Sequence, residues 1–171
     1  MMAPDAAGGD TGGASRVARG LERRRRVLGE EHVDRALASA CSLDAPFQAY
    51  ITGAVWEDVW GRGTLSLRDR RLLTIAVLAA LGHQGELALH VRAAVEGGMG
   101  VEELGEVLLH AGVYAGVPAT NAALSTARRV LEELGHPAAE AFGDPAKVLT
   151  GDLAEHDPRS AVSEDTENDD D

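Results

Sequence analysis

The chain has 171 residues, enough for one domain with a sizeable core; 44% are hydrophobic but only 4% aromatic, so Ala, Leu and Val must do the packing. The net charge of −12 is concentrated in residues 151–171, whose nine acids and one base give −8 and leave −4 for the rest, a mildly acidic body in which nothing suggests binding along a phosphate backbone. A lone Cys41 excludes an internal disulfide or a thiolate metal site, the first fifteen residues lack the apolar stretch of a secretory leader, and no run nears the roughly 20 apolar residues of a membrane span, so a cytoplasmic location is expected.

Residues 1–14 and 151–171 read as disordered tails around a helical domain over 15–150, because both are rich in Gly, Asp and Ser with little to bury. A first helix is expected from Arg16 to Leu28, after a Ser15 cap and before Gly29. Its Arg23-Arg24-Arg25-Arg26 run points all ways round a helix and reads as a solvated or anion-contacting turn. Glu30 to Cys41 makes a second helix. Asp44 can cap a third, with Pro46 in its first turn, running to about Trp60 before Gly61-Arg62-Gly63. Ser66-Leu67-Arg68-Asp69 has the pattern of a capping box opening a long helix, whose Leu72–Leu81 portion has the composition of a buried segment. Gly82 interrupts it, and a fifth helix runs from about Gln84 to Glu96. Val101 to Ala115 is amphipathic, with Val101, Leu104, Leu108 and Ala115 on one stripe; Gly116-Val117-Pro118 ends it, and Ala119 to Leu134 closes the domain. No β-branched alternating run appears, so the expected fold is all-α with short connections.

The richest stretch for chemistry is His83-Gln84-Gly85-Glu86-Leu87-Ala88-Leu89-His90. At about 100° per helical residue, positions 83, 86 and 90 fall within roughly 60° of each other, on one face. Titratable groups carried into an apolar region are candidates for proton chemistry. Glu86 and His90 stand at i, i+4, where a carboxylate can orient a ring and raise its basicity for general acid/base work. The same pair could instead be a packing ion pair. A metal reading of the three residues is disfavoured by their His-x2-Glu-x3-His register, so no metal or cofactor is expected. Trp56 and Trp60, with Glu57 and Asp58 between them, form an aromatic wall that is either core or the border of a pocket. Arg70 and Arg71 can pair with an acid such as Asp58 or Glu86, or receive a substrate carboxylate. His110 and Tyr114 lie opposite the apolar stripe of their helix and should meet solvent or another subunit. His32, His136 and His156 lie in polar or terminal contexts and are assigned nothing.

The combination Trp56-x-x-Val59-Trp60, Arg70-x-Leu72-Leu73-Thr74-x-Ala76, Leu78-Ala79-Ala80-Leu81-Gly82, Glu86-Leu87-x-Leu89-His90-Val91-Arg92 and Glu103-x-x-Glu106-Val107-Leu108-Leu109-His110, followed by Tyr114-x-Gly116-Val117-Pro118-Ala119, resembles the carboxymuconolactone decarboxylase/AhpD-like superfamily. The resemblance covers about residues 18–135 and is closest to its decarboxylase branch. It implies an AhpD-like bundle of six to seven helices, assembled as a homo-oligomer (trimer or hexamer). The implied activity is the cofactor-independent decarboxylation of 4-carboxymuconolactone to the β-ketoadipate enol-lactone. In that scheme His90 is the proton donor poised by Glu86, His83 an oxyanion donor or second acid, and Arg70 or Arg71 an anchor for the acetate side chain, with Trp56, Asp58 and Trp60 lining the pocket.

The peroxidase branch carries Cys-x-x-Cys-x3-His with an upstream Glu. Those positions are held here by His83, Glu86, His90 and Arg71, so thiol-based peroxide reduction should be absent. The chain also departs from the decarboxylase pattern. Asp58 stands for its acid with Glu57 extra, the linker reads Gly61-Arg62-Gly63-Thr64, and His83 occupies a position where Arg is commoner. These changes touch the pocket rim and leave open another lactone or a secondary metabolite as substrate. A non-catalytic helical module with a docking acidic tail is the alternative outside enzymology.

Overall fold

The computed structural model describes residues 11–139, with side chains from Arg16 onward; the acidic tail 151–171 and all but the last four residues of the expected N-terminal tail lie outside that range. Among the described residues the chain is all-helical. Seven α-helices follow in order: α1 (Thr11–Leu28), α2 (Glu30–Ala38), α3 (Ala45–Ile51), α4 (Leu67–Leu81), α5 (Gln84–Glu96), α6 (Val101–Ala115) and α7 (Val117–Glu133). A π-helical segment, Thr52–Glu57, continues α3, and a short 3-10 turn, Pro137–Ala139, follows α7.

Local chemistry sets most boundaries. The Ser66 hydroxyl accepts from the Asp69 amide at 3.1 Å while the Asp69 carboxylate accepts from the Ser66 amide, so the capping box opens α4. Gly82, at φ 73, closes it in the left-handed conformation. α7 starts at Val117, not Ala119, because Pro118 stands in its first turn, where a missing N–H leaves no bond unmade. The expected Asp44 cap is not made. The Asp44 carboxylate accepts from the Cys41 amide at 2.7 Å instead and closes the turn before α3. The single helix expected from there to Trp60 is divided. Beyond Ile51 the ladder widens to i→i+5 bonds, Asp58 N–H to Gly53 O at 3.2 Å and Trp60 N–H to Val55 O at 3.0 Å.

Two apolar clusters hold the bundle. The larger joins Ile75 and Ala79 of α4, Leu87, Val91 and Ala94 of α5, Leu104 and Leu108 of α6, and Ala123, Ala127 and Val130 of α7. The smaller joins Val27 and Leu28 of α1, Val33 of α2 and Trp56, with Trp60, Leu67 and Leu89 packed against it. α1 lies across the π segment at close range, and α5 meets both clusters. His90 sits on that shared helix.

A further expectation is overturned. Leu72–Leu81 is not buried as a unit, since only Ile75 and Ala79 are enclosed while Leu73, Val77 and Leu81 are half or more exposed. A helix apolar on all sides needs partners on all sides, and the protomer supplies them on one.

Candidate active site

The sequence places His83, Glu86 and His90 on one helix face; in the fold His83 is the residue before α5, while Glu86 and His90 stand one turn apart on it and are electrostatically coupled. Gly82 ends α4 with His83 N–H donating to Leu78 O at 3.0 Å, a motif that holds His83 at the corner before α5 begins. His83 is exposed, and so is Glu86 in the first turn of α5. His90, two turns in, points to the smaller apolar cluster. Among the described residues no three His, Cys, Asp or Glu side chains converge as metal ligands.

The His90 ring stacks on Trp60 with centroids 6.3 Å apart and planes 22° apart, and Trp60 in turn lies 5.0 Å from Trp56. The widened backbone between the two indoles belongs to the π segment and the turn after it. Arg71, from α4, is the charge that acts most on the ring; its Nη2 donates to the Val27 carbonyl at 3.5 Å, and its Nε is buried without an acceptor. Burial first, then the Arg71 charge, then His32, push the His90 pKa down to about 4, against a weaker upward pull from Glu86. The carboxylate expected to raise the basicity of the ring is outweighed because it stays in water. At neutral pH His90 is an uncharged imidazole, stacked on Trp60 and under the charge of Arg71.

Other expected members are directed elsewhere. Arg70 is one residue and about 100° round α4 from Arg71, and its Nη2 donates to the Arg62 carbonyl at 3.0 Å. Asp58 pairs with Arg16 at 2.7 Å on the surface. Glu57 is the more constrained acid: it accepts from Arg19 at 2.5 Å and from Arg23, and these bonds hold its carboxyl below the usual range. The acids between the tryptophans therefore dock α1, which carries the three arginines.

His32, to which the sequence reading assigned nothing, is coupled to His90, and Arg24, read there as part of a solvated or anion-contacting turn, is buried. His32 of α2 is close enough to His90 and to Arg24 for electrostatic coupling, and its own pKa is lowered by burial, then by Arg24 and Arg35. It lines a groove of about 530 Å³ together with Arg35, Leu89 and Arg92. Arg24 is buried against Gln48 and Thr52. A signal for it was present: Val17, Gly20, Leu21, Arg24, Val27 and Leu28 form a helical stripe, and Arg24 is its one charged member.

Comparison with known proteins matches residues 45–129 to the carboxymuconolactone decarboxylase family. The chain is 45% identical over 120 residues to the 4-carboxymuconolactone decarboxylase of Acinetobacter baylyi, covering 70% of this chain and 90% of that protein. It is 35% identical over 115 residues to the nitrosuccinic acid decarboxylase of Metarhizium robertsii, covering 67% of this chain and 80% of that one.

Proposed function

This chain belongs to the carboxymuconolactone decarboxylase family, and from that premise we propose that it removes carbon dioxide from 4-carboxymuconolactone to give the β-ketoadipate enol-lactone, without a cofactor. The observation that carries the mechanistic reading is the stacking of His90 on Trp60 under the charge of Arg71, all within the matched stretch. The bond to the departing carboxylate is vinylogous to the lactone carbonyl. As it breaks, carbon dioxide leaves and the electron pair passes into the ring as a dienolate, with charge on the carbonyl oxygen. A proton then adds to the carbon α to that carbonyl, so each turnover consumes one.

His90 is assigned as its donor. The ring by itself is neutral at pH 7, and a bound polyanion opposes the effects of burial and Arg71, so substrate charges the imidazole that then gives up its proton. Arg71 holds the anion against the ring, while Trp56 and Trp60 keep water from it. Glu86 and His83, both solvent-exposed, serve the mouth of the site: Glu86 by favouring the imidazolium, His83 as a second acid or oxyanion donor. Arg70 and Asp58 stand at its edge.

Self-association belongs to the same reading. Leu73, Val77 and Leu81 on α4 and Leu109, Val113 and Val117 on α6 and its junction with α7 are exposed at four-residue spacing, with Tyr114 80% exposed beside them. Such an apolar surface fits a second copy of the chain, in a trimer or hexamer. Among the described residues no helix is long and apolar enough to cross a membrane, and a cytoplasmic place of action is part of the proposal.

The test is incubation with 4-carboxymuconolactone while carbon dioxide and enol-lactone are followed. His90→Ala should lower turnover by about two to four orders of magnitude, and Cys41→Ser by no more than a few-fold. Equal turnover by wild type and His90→Ala overturns the assignment of the acid.

A further inference from the structure

Arg24 is 6% exposed, the one charged side chain among the described residues that is fully enclosed. Its Nη1 donates to Gln48 Oε1 at 2.9 Å and lies 3.4 Å from Thr52 Oγ1, both uncharged acceptors, while its Nε is sealed from solvent with no acceptor. No described carboxylate reaches it. Acids are not scarce nearby, for Arg23 pairs with Glu57 and Arg25 with Asp34 at 2.5 Å. A guanidinium stripped of water and left without a counter-charge is strongly unfavourable in a folded protein, and burial pulls its pKa down accordingly. Arg71 repeats the pattern beside His90, with a buried Nε lacking an acceptor. Arg70 likewise buries an Nε without an acceptor, but both Arg70 and Arg71 are only partly enclosed, so Arg24 alone is a fully buried cation; His32 is electrostatically coupled to both Arg24 and His90.

We propose that Arg24, braced by Gln48 and Thr52, is a second anion anchor that holds the carboxylate retained through the reaction and makes the site select dicarboxylates over monocarboxylates. The inference rests on the decarboxylase reading above. A 4-carboxymuconolactone molecule carries two carboxylates and loses one; nitrosuccinic acid also carries two carboxyl groups. A guanidinium clamped on the departing group would stabilise the ground state and slow its loss, so the strong anchor belongs on the group that stays. Arg71 lies beside the proton donor, where charge moves into the lactone. Arg24 stands one turn before Val27, whose carbonyl accepts from Arg71, and its Nη1 lies 3.4 Å from Thr52 Oγ1, four residues before Trp56. Its fork is already oriented by two neutral acceptors, so little ordering remains to be done when a carboxylate arrives.

The test uses calorimetric titration of the full-length protein with succinate, and with propionate as the monocarboxylate control, alongside steady-state kinetics on 4-carboxymuconolactone. The variants are Arg24→Met and Gln48→Glu. Gln48→Glu supplies Arg24 with an internal carboxylate, so it should keep or raise Tm while weakening succinate binding at least tenfold and raising KM more than it lowers kcat. Arg24→Met should lose the preference for succinate over propionate. If Arg24→Met does not fold, Gln48→Glu decides the matter, because a merely structural Arg24 would leave its succinate affinity and KM at wild-type values. That result overturns the anchor, as does a wild-type protein that binds succinate no better than propionate. Wild type that shows Arg24-dependent succinate binding but releases no carbon dioxide refutes the decarboxylase reading and retains the anchor. Normal turnover with wild-type affinity and KM in the variants does the reverse.

Discussion

His90 gathers the residue-scale argument. Its side chain is stacked on Trp60, lies under the influence of Arg71 and His32, and is held near pKa 4 against an ordinary value of 6.5. The unfolded chain therefore binds a proton at pH values where the folded chain does not. Stability is complete above about pH 6.5 and is lost as pH falls from there toward 4. Between pH 7.5 and 5.0 the loss attached to His90 is about 2 kcal/mol. Urea unfolding at the two pH values checks this: His90→Asn, which cannot titrate, should lose about 2 kcal/mol less than wild type. An unchanged difference between the two pH values would mean that the imidazole is as well solvated as in the unfolded chain. His32, lowered in the same direction, contributes alongside it and remains in the variant.

At the scale of elements, the contact of α1 with the π segment decides where the indoles stand. Gly20 sits where that approach is closest, and a methyl group there would overlap the Thr52 carbonyl oxygen. Backbone cannot yield as a flexible side chain can. Gly20→Ala should therefore destabilise the protein by about 2 kcal/mol or more, with a changed near-ultraviolet tryptophan signal as Trp56 and Trp60 shift. A variant with wild-type stability and spectrum would show that α1 can move away without cost. Gly20 is legible in the sequence only as one of the chain's twenty glycines. Its necessity comes from an approach between segments more than thirty positions apart, which no local pattern encodes. The Ser66–Asp69 box and the Gly82 stop were legible because their chemistry closes within one or two turns. The π segment was not, since a widened turn uses the same residue types as an ordinary one.

The whole molecule leaves α4 half clothed. Leu73 is 53% and Val77 52% exposed in the protomer, although the composition of Leu72–Leu81 is that of a core helix. Both facts are reconciled when a second copy covers the open face. Light scattering at micromolar concentration should give three or six times the 17.9 kDa protomer mass, and Leu73→Glu with Val77→Glu should reduce it. A 17.9 kDa particle for wild type would overturn the assembly.

The sequence by itself determined the all-helical class, most helix limits and the family, because apolar periodicity, caps and glycine stops act over a few residues and the motif from Trp56 to Ala119 is dense. It also singled out His90, Arg71, Trp56 and Trp60. It could not say which member of a charged cluster would be enclosed. Helix periodicity grouped His83 with His90, but Gly82 puts His83 outside the helix and leaves it in water with Glu86. Four consecutive arginines looked alike, yet the π segment gave Arg23 its acid, α2 gave Arg25 another, and the docking of α1 on α3 and the π segment buried Arg24 without one. Burial and charge balance are sums over elements distant in the chain, and they set the pKa of His90 and the isolation of Arg24 only once those elements have packed.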